Sequence, residues 1–214
     1  MTSSPNNGQI SSNSIPGRYL RQLPNYVHGD ESAPRIRTVC ETRRMTSEKR
    51  VVLVASRHAE WARAAAEMTV ELVKHLPRAE IEHIGSTSVP GLPAKPVVDL
   101  AVGVAADEIL HSARALARCG FDLEGGRAEH AWLSYPNRSA RAFVAHIFEF
   151  QGEEWIKRLR FRDILLTDEK SRERYLETKR DAARSANGWG EYTRAKSSVV
   201  SEILANATRT VESA

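Results

Sequence analysis

Cysteine is nearly absent from this sequence. Among 214 residues there are two, Cys40 and Cys119, and no C-x-x-C pair. That argues against a disulfide framework and excludes a zinc knuckle by count. It suits a reducing cytoplasm, where this chain is expected. Long apolar runs are missing as well. No stretch approaches the roughly 18 residues that a spanning helix needs, so no membrane partner is expected. The opening residues show no basic cluster followed by an apolar segment, and no secretory signal is expected. No G-x-x-x-x-G-K-[S/T] phosphate loop and no internal repeat is present.

What is there begins with an uneven charge. The net charge is +4, and residues 1–50 carry eight Lys/Arg against four Asp/Glu, while residues 51–150 carry ten against twelve. Residues 1–48 open on Thr2-Ser3-Ser4-Pro5-Asn6-Asn7-Gly8 and hold no lasting hydrophobic period. Such a stretch buries too little apolar area to offset its ordering entropy, and it is expected to be a disordered basic extension. The folded domain is expected over residues 49–214. The basic ends are compatible with a nucleic-acid partner without singling one out.

From Val51 onward the pattern becomes regular. Residues 51–54 suggest a short strand. Over residues 57–76, Trp61, Ala65, Met68, Leu72 and Leu76 follow the 3–4 spacing of a helix with one buried face, and Pro77 stops it. Residues 80–84 alternate as a strand does. Residues 97–104 are nearly all apolar, as in a central strand covered on both sides. A second helix is expected over 106–119, ended by Gly120. Weaker strands are expected at 121–123 and 131–135, and a stronger one at 142–150. Residues 153–207 read as three helices with breaks near Thr167-Asp168 and Asn187-Gly188. The predicted fold class is α+β: a mixed β-sheet flanked by helices, followed by a helical C-terminal half.

The chemistry concentrates in residues 81–102, IEHIGSTSVPGLPAKPVVDLAV. A strand delivers the chain to Gly85-Ser86-Thr87-Ser88. A proline-stiffened loop follows, and the next strand carries Asp99. Glycine lets a phosphate approach the backbone, while hydroxyls and N–H groups can bond its oxygens. Lys95 can neutralise phosphate charge. Asp99 lies between Val97-Val98 and Leu100-Ala101-Val102. A buried carboxylate costs several kcal/mol unless it meets a partner or a metal such as Mg²⁺.

The string Gly-Ser-Thr…Pro-Gly-Leu…Lys-Pro…Asp resembles the signature of the GrpB family, related to the polymerase-β-like nucleotidyltransferases. The likeness continues around Trp61, through GEEWIKRLRFRD at 152–163, and at Tyr175…Lys179 and Tyr192…Lys196, so it covers about residues 52–206. It implies a sheet of nucleotidyltransferase type, a nucleotide or other small phosphorylated substrate, and Mg²⁺ on Asp99. Two departures stand out. Ala101 occupies the place of the second metal carboxylate. The family's His-Leu-His-Val strand is here Val144-Ala145-His146-Ile147, which keeps one histidine. Glu149 is the best candidate for another metal carboxylate. His146 and Glu149 lie on opposite faces of an alternating strand and cannot both enter one site without a bulge.

Cations inside apolar stripes supply further candidates. Arg162 falls within the stripe of Trp155, Leu159 and Leu166, and Lys196 within that of Tyr192, Val199 and Ile203. A cation on a buried face meets an anion or snorkels out. Arg162 could serve a substrate phosphate or close an internal salt bridge. His83, Trp132, Tyr175 and Trp189 read more simply as packed residues.

Three functions follow as expectations. One is nucleotidyl transfer to an unknown acceptor. Here Gly85, Ser86, Thr87, Ser88, Lys95, Tyr192 and Lys196 hold the nucleotide, Asp99 and Glu149 hold Mg²⁺, and Asp99, His146 and Arg162 serve the chemistry. The second is a non-catalytic nucleotide- or partner-binding module. The third, implied only by the resemblance, is an arginine-containing cyclodipeptide synthase that uses aminoacyl-tRNA.

Overall fold

The computed structural model describes residues 51–212. The extension expected over residues 1–48 lies outside the described residues. Apolar alternation produces five strands: β1 Glu80–Ile84, β2 Val98–Val104, β3 Asp122–Gly126, β4 His130–Tyr135 and β5 Phe143–Glu149. They form one sheet in the order β1-β2-β5-β4-β3. The pair β2–β5 is parallel and the other pairs are antiparallel. The α+β class and the mixed sheet are as the sequence predicts.

One face of the sheet makes the main core. Helices α1 (His58–His75) and α2 (Ile109–Arg118) cover it. Trp61, Ala65, Met68 and Leu72 of α1 meet Leu100 and Val102 of β2, Leu133 of β4 and Ile147 of β5. Leu72, Leu100, Leu116, Leu133 and Ile147 are fully buried. Each such side chain contributes about 1.5–3 kcal/mol of burial. Pro77 follows α1, and Gly120 follows α2 at φ 92°, with the Phe121 amide donating to the Leu116 carbonyl at 3.2 Å. That is the expected glycine stop of a helix.

The opposite face of the sheet receives the first of the C-terminal helices. These are four rather than three: α3 Glu153–Thr167, α4 Glu169–Ser185, α5 Trp189–Ala195 and α6 Ser197–Glu212. The additional break falls at Lys196, between α5 and α6. Asp168 caps α4, its carboxylate accepting from the Lys170 amide at 3.0 Å, and Gly188 opens α5 at φ 135°. Helix α3 changes partner along its length. Trp155 and Leu159 pack on Ile84, Ala101 and Phe148 of the sheet, whereas Leu165 packs with Tyr175, Val199 and Ile203 of the later helices. The buried side therefore turns round α3. This corrects the expected stripe, since Leu165 is buried and Leu166 is 42% exposed.

The strand expected at 51–54 is a single bridge, Val54 paired with Ala94. Val51 instead packs on Ala182 and Tyr192. The second helix begins as a 3-10 turn, Ala106–Glu108, before α2 proper.

Gly103 of β2 marks a close approach of α3 to the sheet. A methyl group there would meet ring atoms of Phe150 and Trp155 at 2.9 Å. Gly103→Ala is expected to destabilise the protein by about 1–3 kcal/mol through overpacking, read as a lower urea midpoint with an unchanged slope.

Candidate functional site

Asp99 is the second residue of β2 and pairs in register with Ile84 of β1 and Val144 of β5. Alternation turns it to the face away from α1 and α2, beside the turn that follows β1. Gly85 opens that turn at φ 74°, a conformation that a side chain makes costly. A Cβ on Gly85 would lie 2.6 Å from Asp99 Oδ2. The glycine is therefore required twice, for its backbone angle and for the space the carboxylate fills.

The three hydroxyls after Gly85 have different employments. Ser88 Oγ donates to the Gly85 carbonyl at 2.6 Å, and Thr87 Oγ1 lies 2.9 Å from His83 Nε2. Both side chains are buried and hold the turn together. Ser86 is half-buried and bonds towards the Tyr175 hydroxyl. Of the expected trio, Ser86 is the one not bonded within the turn or to its neighbouring strand; a short turn lined by three hydroxyls uses two of them for its own carbonyl and that strand. Burial pulls His83 down to about 4, so it stays neutral beside Thr87.

Around Asp99 stand lysines from three different segments. Lys95 comes from the proline-rich loop, Lys179 from α4 and Lys196 from the α5–α6 junction. Lys95 Nζ sits 3.3 Å from the centre of the Trp189 ring, and Lys196 Nζ sits 4.1 Å from that of Tyr192. Among the described residues, neither forms an ion pair within 4.0 Å. Lys179 is 1% exposed and donates to the Pro93 carbonyl at 2.6 Å, which ties the loop carrying Lys95 to α4. Arg141 stacks 4.5 Å from the same Trp189 ring and is locked onto Glu124 at 2.7 Å.

The electrostatics follow from this crowding. Burial lowers all three lysines, with Asp99 opposing the shift: Lys95 and Lys196 fall to about 8 and Lys179 to about 7. Burial works against ionised Asp99 too, but Lys95, His146 and Lys196 outweigh it and hold the carboxyl far below its usual range. Its side chain remains 19% exposed. Tyr192 is fully buried, and among the described residues its hydroxyl has no hydrogen-bond partner. A buried hydroxyl left so costs about 1–3 kcal/mol.

Two histidines continue the site across the sheet. His146 of β5 places Nε2 3.8 Å from Asp99 Oδ1, and its Nδ1 lies 3.2 Å from Nε2 of His130 on β4. His130 stacks on Phe148 with ring centres 4.5 Å apart. Burial, then His146 and Arg158, pull His130 down to about 3 and keep it neutral. Next to His130, the Trp132 ring lies over Gly125, where a Cβ would meet it at 2.2 Å.

Other expected site residues are elsewhere. Glu149 pairs with Val104 at the far end of β2, five positions from the Val144 that pairs with Asp99. That is about 17 Å along the strand, and on its opposite face. The β2–β5 register contains no bulge to bring it round. Glu149 is exposed and lies against Gly152, so it cannot share a metal with Asp99. Arg162 is committed to an internal network. Its Nη1 donates to Glu82 at 2.7 Å and to the His83 carbonyl at 3.2 Å, and its Nε donates to Asp163 at 2.8 Å. Arg162 thus braces α3 against β1 and is not brought to Asp99.

The sequence reading also missed participants. Arg141 and His130 were not singled out, Lys179 was named only as part of the family likeness and given no site role, and Trp189 was read as packing. Arg141 lies in a polar loop stretch with no apolar stripe to flag it, whereas Lys179 sits between Tyr175 and Ala182 at helical spacing, a stripe that could have flagged it. His130 precedes Ala131 at a strand end, where a single histidine carries no pattern.

The donor set bears on the metal that the resemblance implies. Among the described residues, no group of three or more His, Cys, Asp or Glu gathers as a metal site. Asp99 is the sole carboxylate in the cluster not locked to an arginine, and the lysines oppose a dication. These residues do not fit a two-metal centre, which needs converging oxygen ligands. They do fit an anion: ammonium groups without carboxylate mates, an unpartnered hydroxyl donor, and a neighbouring pair of histidines.

The family model described as GrpB protein matches residues 51–206. A UPF0157 protein of Deinococcus radiodurans is 39% identical over 62% of this chain and 69% of its own length. The crystal structure of conserved protein GrpB from Enterococcus faecalis covers 73% of this chain and 99% of that one, at 25% identity and a TM-score of 0.61. A structure of Cid1 in complex with the UTP analog UMPNPP overlaps more loosely, at 20% identity and a TM-score of 0.43 over 67% of this chain and 48% of that one.

The lowered lysines set a pH dependence. Between about 8 and the unfolded lysine value of about 10.4, the unfolded chain binds more protons, so folding stability rises with pH. This contribution is complete above the unfolded value and is lost as pH falls through about 8. Lys196→Met is expected to flatten the rise in unfolding free energy between pH 7.5 and pH 10 by on the order of 1–2 kcal/mol, in urea titrations of both proteins.

Proposed function

We propose that this chain, which belongs to the GrpB family, binds a nucleotide, with its phosphates among Lys95, Lys196 and the Tyr192 hydroxyl and beside the Gly85 turn. The observation that carries this reading is the gathering, around one carboxylate, of two ammonium groups that have no ion pair within 4.0 Å and a buried hydroxyl that has no hydrogen-bond partner among the described residues. Burying cations without anions is costly, and a bound phosphate relieves the cost. The Ser86 side chain and the open backbone at Gly85 add contacts on the strand side. Trp132, half-buried and flat over Gly125, offers a ring for a base to stack on.

Transfer of a nucleotidyl group is the reaction this arrangement would serve. Lys95 and Lys196 would stabilise charge developing on the phosphate oxygens. His146 would move the acceptor's proton, with its second nitrogen oriented by His130. Asp99 would hold the lysines protonated and fix the His146 ring.

The test is thermal shift of the purified protein with ATP, CTP, GTP and UTP. At least one is expected to raise the melting temperature by a few degrees, following the mass-action stabilisation of a folded state by its ligand. The shift should shrink in Lys196→Met. Pyrophosphate release on adding candidate acceptors separates turnover from binding alone. No shift with any nucleotide would sink the reading.

A further inference from the structure

The charge balance of the site goes further than the identity of a nucleotide. Two ammonium groups stand around one free carboxylate, with Lys179 behind them bound to the Pro93 carbonyl, so the site carries an excess of at least about one positive charge before any ligand arrives. Glu124 does not reduce the excess, because Arg141 is locked to it. Nor do the histidines supply open ligands for a cation. Nδ1 of His146 and Nε2 of His130 are turned towards each other, and Nε2 of His146 is turned to Asp99. Mg²⁺ binds hard oxygen donors in octahedral array and is repelled by nearby cations. Here it would find one carboxylate ringed by ammonium groups.

Resting on the nucleotide reading above, we infer that the site takes its ligand as a bare polyanion of at least two charges, a di- or triphosphate group without a metal ion. Lys95 and Lys196 then stand where a metal would otherwise stand. The aromatic rings are what make this arrangement tenable. Trp189 and Tyr192 hold the two ammonium groups by cation–π attraction. This steadies them without a carboxylate that an incoming phosphate would have to displace. Lys179 adds field from behind and fixes the loop through Pro93. The Tyr192 hydroxyl is a donor in reserve for a phosphate oxygen. Asp99 acquires an unusual sign in this scheme. A metal-binding aspartate is needed for phosphate affinity, whereas an aspartate facing a bare phosphate opposes it.

Calorimetric titration of the full chain at pH 6.5 tests this with ATP and inorganic tripolyphosphate, each in excess EDTA and again in saturating Mg²⁺. Lys95→Met and Lys196→Met are the variants, with Lys196→Arg as a charge-preserving control and circular dichroism as the check on folding. Both polyanions are expected to bind in EDTA, and Mg²⁺ should weaken them or leave them unchanged. Each Lys→Met change should cost roughly tenfold or more in affinity, and Lys196→Arg should keep most of it. Asp99→Asn should tighten binding in EDTA. ATP binding with tripolyphosphate excluded overturns the phosphate-led inference and leaves a nucleoside-led site. Binding that requires Mg²⁺ and disappears in Asp99→Asn overturns the inference while the nucleotide reading stands. Binding of neither compound under either condition overturns both.

Discussion

The carboxylate of Asp99 presses into the space left by the missing side chain of Gly85, and that contact organises the surrounding structure. An ionised group in an apolar central strand has to be answered by charge. The answer comes from Lys95 in the loop just before β2 and, from far along the chain, from Lys196 at the α5–α6 junction. Because Lys95 and Lys196 converge on one acid without pairing to it closely, they are drawn together yet remain available. The two shifts have different causes: Lys95, His146 and Lys196 hold Asp99 ionised against its burial, whereas burial lowers the lysines and Asp99 partly offsets that.

The rest of the fold can be seen as the means of holding that cluster. The α1–α2 face of the sheet is an ordinary apolar core, and it fixes β2 and β5 in parallel register. That register places His146 beside Asp99. The other face is shared. Trp155 of α3 covers the far end of β2 at Gly103, while α4 and α5 bring Lys179, Trp189 and Tyr192 to the near end. Arg162, with Glu82 and Asp163, braces α3 against β1 and so separates the covered end from the charged one.

Much of this was legible in the residues. The apolar run at β2 announced a central strand, and the 4-3-4 spacing of Trp61, Ala65, Met68 and Leu72 announced α1. The single charge in the apolar run announced Asp99, and the glycine before it announced the turn. What was not legible depends on which neighbour a side chain meets. Leu165 rather than Leu166 is buried because α3 passes from sheet to helices, and one helical period cannot show a change of partner. Thr87 and Ser88 stabilise their own turn because the neighbouring His83 and the Gly85 carbonyl lie within reach. Glu149 looked like a partner for Asp99 by residue type, but five positions of strand separate it from the acid. Arg141 lay in a polar stretch, where a cation destined for burial looks the same as one destined for solvent; Lys179 shared the Tyr175–Ala182 stripe of α4, a pattern left unread.

The most direct test of the account is to observe the two ammonium groups themselves. Carbon-13 NMR of lysine-labelled protein, titrated with pH before and after ATP is added in EDTA, reads the basicity of Lys95 and Lys196 individually. An anion seated between them stabilises their protonated forms. The account therefore requires both midpoints to rise from about 8 by roughly one unit or more on binding. Midpoints that stay in place while ATP binds elsewhere on the protein would contradict it.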